Sequence, residues 1–223
     1  ERAEHLAAKS QAEGTGLVLA TFVAFGVRDA SGNLAFIDQR WINAGSGITS
    51  GVEVGAKANG QIWNGKWSAS IDGSYLIEKK SRSRANAPYG ASEVGRFTAT
   101  GDLGLRWKHT AWLNYSEGKW STTLTQIYRA GYTDQVLPGV ANKLVSPGNY
   151  DPKVKPYITY NLSASYSGFK NLTLTAGIKN LLNTDPPFAI TYDSNSGAGS
   201  SWEPRVADPR GRSFTLLANY KFR

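Results

Sequence analysis

Few residues in this sequence are spaced for catalysis. The chain has two histidines, His5 and His109, and no nucleophile motif, phosphate-binding loop or metal-ligand spacing accompanies them. His5 lies near one end of the sequence, and His109 falls on the apolar side of an alternating segment. We therefore expect no catalytic residue, no metal site and no cofactor. We do not expect Glu53 to act as a general acid.

The densest cluster of charge suggests binding instead. It is the run "KKSRSR", Lys79 to Arg84, in a chain with a net charge of +8. This run lacks a strand pattern and is typical of a solvated loop. Contact with an anion or ligand, or with nucleic acid, is the alternative. Nucleic-acid binding needs clustered Lys and Arg, and elsewhere this clustering is mostly absent, so we expect no nucleic-acid partner.

The composition predicts an all-β chain. Its 223 residues include 24 glycines, 11 tyrosines and 7 tryptophans, which are typical of strands and turns where helical periodicity is weak. No run of about 18 apolar residues is present, so a helical membrane protein is excluded. The absence of cysteine excludes disulfides and thiolate metal sites. Because methionine is absent too, we expect a mature product or a piece of a longer chain, and favour the piece.

Period-two alternation of apolar and polar residues recurs from Lys66 to the end of the chain, and it indicates strands with two unlike faces. We predict about eight strands in one segment, residues 1–223. Their approximate bounds are 16–28, 34–60, 65–79, 101–116, 119–134, 154–167, 171–181 and 211–223. The second strand is expected to contain a bulge near "NAGSG".

The connections between these strands alternate in length. Short turns at 59–65, 116–119 and 167–171 alternate with long connections at 80–101, 133–153 and 183–210. An up-and-down antiparallel sheet places all its short turns at one end and all its long loops at the other, which is the geometry of an outer-membrane β-barrel. We therefore predict an antiparallel, up-and-down transmembrane β-barrel.

Large aromatic residues mark the ends of the predicted strands. Beside a short turn or the C-terminus, on the apolar parity, lie Trp67, Tyr115, Trp120, Tyr166 and Phe222, which we predict to be membrane-interface residues. About eight residues further along, Tyr75, Tyr128 and Phe214 are expected to form the opposite ring. Eight tilted residues span roughly 19 Å, near the apolar band of about 25 Å in such barrels. The apolar face is therefore expected to meet lipid and the polar face a lumen.

Three segments resemble TonB-dependent outer-membrane receptors. "AGIKNLLNTDPPF" and, after a long loop, "DPRGRSFTLLANYKF" resemble the last two strands of that barrel, and "INAGSGITSGVEVGAKA" resembles an upstream strand. The matching positions are Asn43, Gly51, Glu53, Asn180, Leu181, Pro186, Pro187, Gly211, Arg212 and Phe222. The sequence departs from the family pattern at Leu182, Asn183 and Arg223, and we expect the extra Arg223 to be tolerated.

The resemblance implies the last part of a 22-stranded barrel whose lumen holds a plug, without the plug and the N-terminal strands. It implies TonB-dependent uptake of a scarce nutrient of the siderophore–iron, cobalamin or oligosaccharide class, with this chain supplying barrel wall and extracellular loops. The implied partners are outer-membrane lipid and lipopolysaccharide, the remainder of the barrel and the plug, and TonB through that plug. The implied location is the outer membrane of a Gram-negative bacterium, and no enzymatic activity is implied.

The candidate ligand contacts are aromatic or charged residues of the three long loops. They are Arg82, Arg84, Tyr89, Tyr150, Tyr192, Trp202 and Glu203. Packing within their own loops is the other explanation for these side chains. Two other functions stay open at this stage: a complete eight-stranded barrel acting as an anchor or narrow pore, and a soluble β-domain that binds carbohydrate.

Overall fold

The protein is built from β-strands. The computed structural model describes residues 16–22, 25–28, 31, 33–38, 41–82, 86–98, 101–136, 140, 142–144, 151–190 and 201–222. Of the side chains in 16–22, 25–28, 34–38 and 41–44 nothing is described. Within this part of the chain, no helix has the length and apolarity needed to cross a membrane. The all-β prediction is confirmed.

Twelve strands are defined in the described residues. They are β1 (Gly16–Phe22), β2 (Phe25–Arg28), β3 (Leu34–Asp38), β4 (Trp41–Ile62), β5 (Gly65–Arg82), β6 (Trp107–Glu117), β7 (Trp120–Arg129), β8 (Tyr132–Thr133), β9 (Lys153–Val154), β10 (Tyr157–Phe169), β11 (Leu172–Lys179) and β12 (Ser213–Tyr220). The chain divides into two compact units. The first holds the described residues up to Gly51 and those of Leu76–Val94, and the second holds Val52–Tyr75 and the described residues from Gly95 onward.

The first unit contains an irregular strand pair. β1 pairs antiparallel with β4, and the register shifts because Leu19 pairs with Gly45 whereas Ala20 pairs with Asn43. Ala44 is thus the extra residue of a β-bulge, which confirms the bulge expected near "NAGSG". The predicted strand 16–28 is wrong as a single element. β2 pairs with β3 in a separate two-stranded sheet, so the next strand of the large sheet begins at Trp41 and not at residue 34.

The second unit is an up-and-down sheet. Its strand order is β4–β5–β6–β7–β10–β11–β12, and the pairings from β5 to β12 are antiparallel. Only the small pair of β8 with β9 interrupts the sequence order, and it lies in the long connection between β7 and β10. The predicted alternation of short turns and long connections is confirmed here.

Strand pairing aligns like faces across this sheet. One row across six strands consists of Ala69, Leu113, Leu124, Leu162, Ile178 and Phe214. The neighbouring row on the other face consists of Ser68, Asn114, Thr123, Ser163, Gly177 and Thr215. The apolar face is not covered by the chain, since Leu113 is 50% and Phe214 is 72% exposed. A continuous exposed apolar surface of this kind needs an apolar environment or a partner.

The predicted interface aromatics lie at the short-turn end of the sheet. Trp67 pairs with Tyr115 across β5 and β6, and the rings of Trp120 and Tyr166 are 4.6 Å apart. Phe222 stacks edge-to-face on Tyr220 at 4.9 Å. At the opposite end, the Tyr75 ring is 6.5 Å from the Trp107 ring. The positions agree with two aromatic girdles, and the contact of these residues with a membrane interface stays a prediction.

A chain of polar side chains crosses the apolar face. Trp107 Nε1 donates to His109 Nδ1 at 2.8 Å, His109 Nε2 lies 2.9 Å from Gln126 Oε1, and Gln126 Nε2 donates to the Tyr160 hydroxyl at 2.7 Å. An indole N–H can only donate, so Nδ1 accepts and His109 carries its proton on Nε2. The polar groups of His109 and Gln126 are therefore satisfied by one another and by the neighbouring aromatics.

Two predicted strand boundaries are wrong because alternating apolar residues beyond the strands pack in the core of the connections and not in the sheet. Residues 101–106 continue the apolar alternation of β6, but Leu103 and Leu105 are buried against other connections and the strand begins at Trp107. Similarly, β7 ends at Arg129, and Tyr132 pairs with Val154 in the β8–β9 pair. In contrast, β5 continues to Arg82. The first four residues of "KKSRSR" are thus strand and not loop.

Candidate binding site at the loop end of the sheet

The long connections of the second unit pack on one another. Their common apolar core consists of Leu103, Leu105, Tyr132, Val154, Tyr157, Ala189, Val206 and Ala207, with Phe97 packed against it. We call this set the loop core. It joins residues from all three connections, β5–β6, β7–β10 and β11–β12. These connections are therefore held in one arrangement at the long-loop end of the sheet.

An ion pair between a buried carboxylate and a partly exposed arginine joins the β11–β12 connection to the β5–β6 connection. Glu203 is 2% exposed, and its two carboxylate oxygens accept from Nε and Nη2 of Arg205, both at 2.8 Å. Arg205 Nη1 donates to the carbonyls of Thr98 at 2.8 Å and Gly101 at 3.1 Å. The guanidinium also lies 5.2 Å from the centre of the Phe97 ring. The side chain of Arg205 thus donates four hydrogen bonds, two to the carboxylate and two to backbone carbonyls.

The electrostatics of the pair favour its charged form. Burial alone would raise the pKa of Glu203, but the hydrogen bonds and charge of Arg205 outweigh it and the pKa is lowered. The hydrogen bonds to Glu203 raise the pKa of Arg205 in turn. Isolated buried charges are costly, whereas a bidentate Arg–carboxylate pair with further donors satisfied is tolerated. The charged Glu203 side chain thus has a structural role, since it fixes Arg205, which links the β11–β12 connection to the β5–β6 connection.

Asp134 joins the β7–β10 connection to the β11–β12 connection. Its Oδ2 accepts from the backbone N–H of Ile190 and its Oδ1 from that of Gln135. The side chain of Gln135 donates to the carbonyl of Ile190. Burial raises the pKa of Asp134 in spite of these two backbone donors, and burial also raises the pKa of the nearby Tyr132 hydroxyl. These groups therefore belong to the packing of the loop core.

The exit of β11 is fixed by two asparagines with positive φ. Asn180 (φ 49°) accepts at Oδ1 from the backbone N–H of Thr184 and donates from Nδ2 to the Thr184 carbonyl. Asn183 (φ 53°) accepts at Oδ1 from the backbone N–H of Arg212. Asparagine tolerates this left-handed conformation better than most residues. Asn183 and Arg212 are thus brought together, and the loop leaves and re-enters the sheet at adjacent points, where Lys179 pairs with Ser213.

Two adjoining cavities lie on the polar face, and the second is bounded by the β11–β12 connection. The first, of about 570 Å³, is lined by Glu53, Asp72, Ser74, Lys108, Thr110, Ile127 and Arg129, among others. The second, of about 550 Å³, is lined by Ile127, Arg129, Tyr157, Asn161, Lys179, Arg205 and Arg210, among others. They share Ile127 and Arg129. Their walls carry acidic groups towards β4 and β5 and basic groups towards β6, β7 and β11.

The ligand contacts predicted from the sequence do not come together in one described site, because some lie in the first unit and others in the second. In the first unit, Arg82 Nε donates to Ser46 Oγ at 2.6 Å, its guanidinium lies 4.9 Å from the Tyr89 ring centre, and the Tyr89 hydroxyl is 3.1 Å from Ser46 Oγ. In the second unit, Trp202 is half-buried and Glu203 is paired with Arg205. Arg84, Tyr150 and Tyr192 lie outside the described residues. A ligand role for Arg82, Tyr89 and Trp202 stays a prediction.

The basic run of β5 is largely neutralised by its surroundings. Lys79 lies 4.0 Å from Glu93, and Lys80 pairs with Glu78. Ser81 also donates to Glu93, at 2.6 Å. Sequence reasoning therefore singled out cations with partners and missed Lys108, Arg129 and Lys179, which line the cavities. Part of their signal was available, because all three fall on the polar parity of predicted strands, but only the observed start of β6 at Trp107 places Lys108 at a loop end.

Comparisons with known proteins bear on the family and the fold. A family model described as TonB dependent receptor-like, beta-barrel, matches residues 17–181. No curated protein matches the chain. Among solved structures, it is similar to the ferric enterobactin receptor PfeA of Pseudomonas aeruginosa, in a mutant form, with 17% identity, a TM-score of 0.51, and coverage of 94% of this chain and 27% of that one.

Two other solved structures are similar at lower TM-score. They are the copper transporter OprC, with 19% identity, a TM-score of 0.49, and coverage of 94% of this chain and 28% of that one, and the siderophore receptor PiuA of Acinetobacter baumannii, with 21% identity, a TM-score of 0.49, and coverage of 82% and 23%. The chain thus spans roughly a quarter of the length of these solved structures. Together with the one-sided apolar sheet and its long, packed connections, the family match shows that this chain belongs to the TonB-dependent receptor β-barrel family, of which it is a partial barrel.

Proposed function

We propose that this chain is the C-terminal barrel wall of an outer-membrane receptor that takes up a scarce nutrient by a TonB-dependent mechanism. The observation that carries the proposal is the family match over residues 17–181. The sheet is consistent with it, because an exposed apolar face opposes a polar face with cavities. The nutrient would belong to the siderophore–iron, cobalamin or oligosaccharide class, and the location would be the outer membrane of a Gram-negative bacterium.

The proposed partners follow from the faces and the edges of the sheet. The edge strand β12 has a neighbour on one side only within the described residues, and the rest of the receptor barrel would supply its other neighbour. The plug would face the polar side, and TonB would act through that plug. Lipid would cover the apolar face. Contact with lipopolysaccharide is proposed for Arg106, which is exposed beside Tyr75 at the loop end of the sheet.

The loop core suggests how the chain would contribute to binding. Because Glu203, Arg205 and Asp134 hold three connections together, the polar groups below them are presented in a fixed arrangement. Preorganised groups lose less conformational entropy when a ligand binds. Arg82, Tyr89 and Trp202 are proposed as further ligand contacts, and Glu203 is proposed as a residue that supports the site without touching the ligand.

Transport by the full-length receptor tests this function. Cells that lack their other receptors would express it, and uptake of labelled siderophore–iron complexes, cobalamin and oligosaccharides would be measured with and without a protonophore and with and without TonB. We expect uptake of one class that is lost in both deprived conditions. If no compound in these classes is taken up in an energised way, the proposal is wrong. Ion conductance of the 223-residue chain alone in planar bilayers would favour the small-pore alternative.

A further inference from the structure

Three cations on the polar face of the second unit have no partner of their own. Lys108, Arg129 and Lys179 lie at the loop ends of β6, β7 and β11, and their side chains form no hydrogen bond and no ion pair with any described residue. Arg205 and Arg210 also line the second cavity, but they are paired with Glu203 and Asp208. Among the cations that line the two cavities, Lys108, Arg129 and Lys179 are those without an ion-pair partner within the described residues.

Two of these cations are direct cross-strand partners. Lys108 pairs with Arg129 in the β6–β7 register, and like charges directly opposite each other destabilise a sheet. Glu53 and Asp72 lie in the same cavity, but neither forms an ion pair with Lys108 or Arg129 within the described residues. A pairing that costs stability and is not relieved inside the sheet suggests that an anion from outside relieves it.

The cavities provide room for such an anion. Arg129 lines both of them, Lys108 the first and Lys179 the second. Strands in a sheet lie about 4.8 Å apart, so a row of three cations running from β6 over β7 to β11 extends over roughly 10–15 Å. Lys108 and Lys179 are exposed and reachable from the cavity.

Tyr157, Asp208 and Arg210 line the second cavity and are joined by hydrogen bonds. The Tyr157 hydroxyl donates to the carbonyl of Asp208 at 3.2 Å, which ties the start of β10 to the returning segment before β12. Asp208 in turn accepts from Arg210 Nε at 2.9 Å, and the hydrogen bonds of Arg210 lower the pKa of Asp208 to about 2. The carboxylate of Asp208 is therefore paired with Arg210. Lys179 lowers the pKa of Asp208 only as a weaker, more distant charge, so the three cations keep a net positive charge.

We propose that Lys108, Arg129 and Lys179 form an anion-binding row in the lumen wall, and that the nutrient is an anion with two or more separated carboxylate, phosphate or similar oxyanion groups. The inference rests on the proposed receptor function and names the chemical class of its ligand. Arg129, at the point shared by the two cavities, contributes a bidentate donor. The two lysines contribute point charges on either side of it.

Binding of inorganic tripolyphosphate to the purified full-length receptor tests the row. We expect calorimetry to show binding that weakens as salt is raised. The double variant Arg129→Ala/Lys179→Ala should weaken it at least tenfold, and Arg129→Lys should retain most of it. Lys170→Ala is the matched control, because it removes an equally exposed positive charge at the short-turn end of the sheet and should leave the affinity unchanged. No binding by the wild type, or equal affinity in the double variant, overturns the proposal.

The thermal stability of Lys108→Gln supplies a second measurement that needs no ligand. If the row awaits an external anion, the midpoint of unfolding should stay the same or rise, since a like-charge pair is relieved. A lower midpoint would mean that carboxylates elsewhere in the receptor already neutralise the row, which overturns the proposal.

Uptake in cells separates this inference from the proposed function. If the double variant still performs TonB-dependent uptake of a neutral compound as well as the wild type does, the receptor function stands and the anion row is wrong. If tripolyphosphate binding depends on Arg129 and Lys179 but no compound is taken up in an energised way, the row stands and the proposed function is wrong.

Discussion

Single residues decide whether the long connections form a structure of their own. Arg205 contacts two carbonyls that lie about a hundred residues earlier in the chain, at Thr98 and Gly101, while also pairing with Glu203. Removing one partner of such a pair leaves the other charge buried without compensation. The side chain therefore matters more for the arrangement of the connections than its single positive charge suggests.

Replacing Arg205 is expected to loosen the loop core. Arg205→Ala should cost about 3–5 kcal/mol in local stability, because Glu203 stays buried and unpaired. The double variant Glu203→Leu/Arg205→Met should cost clearly less, since it leaves no buried charge. Hydrogen exchange of the Val206 and Ala207 amides, which donate to the Glu203 carbonyl, would report the change in the full-length receptor. Equal exchange in the single and double variants would contradict a role for the buried charge.

The same pair predicts a dependence on pH. The pKa of Glu203 is lowered from its ordinary value of 4.5, so its contribution to stability is complete above that value and is lost as the pH falls through the lowered pKa. Exchange of the Val206 and Ala207 amides, corrected for the intrinsic effect of pH, should therefore accelerate in that acid range and stay constant between pH 5 and 8, a window of about three units. Glu203→Gln should lose this acid dependence, and its persistence there would assign it to another group.

At the scale of elements, the sheet is ordered by the contrast between its faces. A slip of one residue would move every side chain to the other face, so the alignment from Ala69 to Phe214 locks the register of six strands. His109 and Gln126 are exceptions on the apolar face. They are tolerated because each satisfies the other, with Trp107 and Tyr160 at the ends of the chain.

Breaking this chain in its middle is expected to destabilise the sheet. Gln126→Leu would leave His109 Nε2 and the Tyr160 hydroxyl without these partners in an apolar environment, which should cost about 1–3 kcal/mol. Thr122→Val, on the same face of β7, is the control and should have little effect. Urea unfolding of the full-length receptor in phospholipid vesicles measures both. A variant Gln126→Leu as stable as the wild type would mean that water reaches these groups.

At the scale of the whole molecule, the described strands form an open sheet with unpaired edges. Its last strand, β12, ends the strand order, and in lipid an unpaired edge leaves N–H and C=O groups without any partner. The chain also spans only about a quarter of the solved receptors it is similar to. Completion by the rest of a larger barrel satisfies the edge without any change in the sheet described here.

Mobility in detergent gels distinguishes a completed barrel from an open one. The full-length receptor should migrate as a compact, heat-sensitive form, whereas the 223-residue chain refolded alone should not, because its edges stay open. The comparison would be made in the same detergent, with and without boiling. A compact, heat-sensitive form of the chain alone would favour the complete eight-stranded barrel.

The alternation of residues by itself determined the β-class, the up-and-down order and the two faces of the sheet. Such a pattern is local, since each strand needs only neighbouring residues to present one apolar and one polar side. Tertiary structure alone decided where β6 begins, why Glu203 is buried, and which cations meet at the cavities. Leu103 has the alternation of a strand but the burial of a loop, and Arg205 finds its carbonyls across a hundred residues. Contacts of this range depend on how distant connections fold over one another, and no local pattern records that.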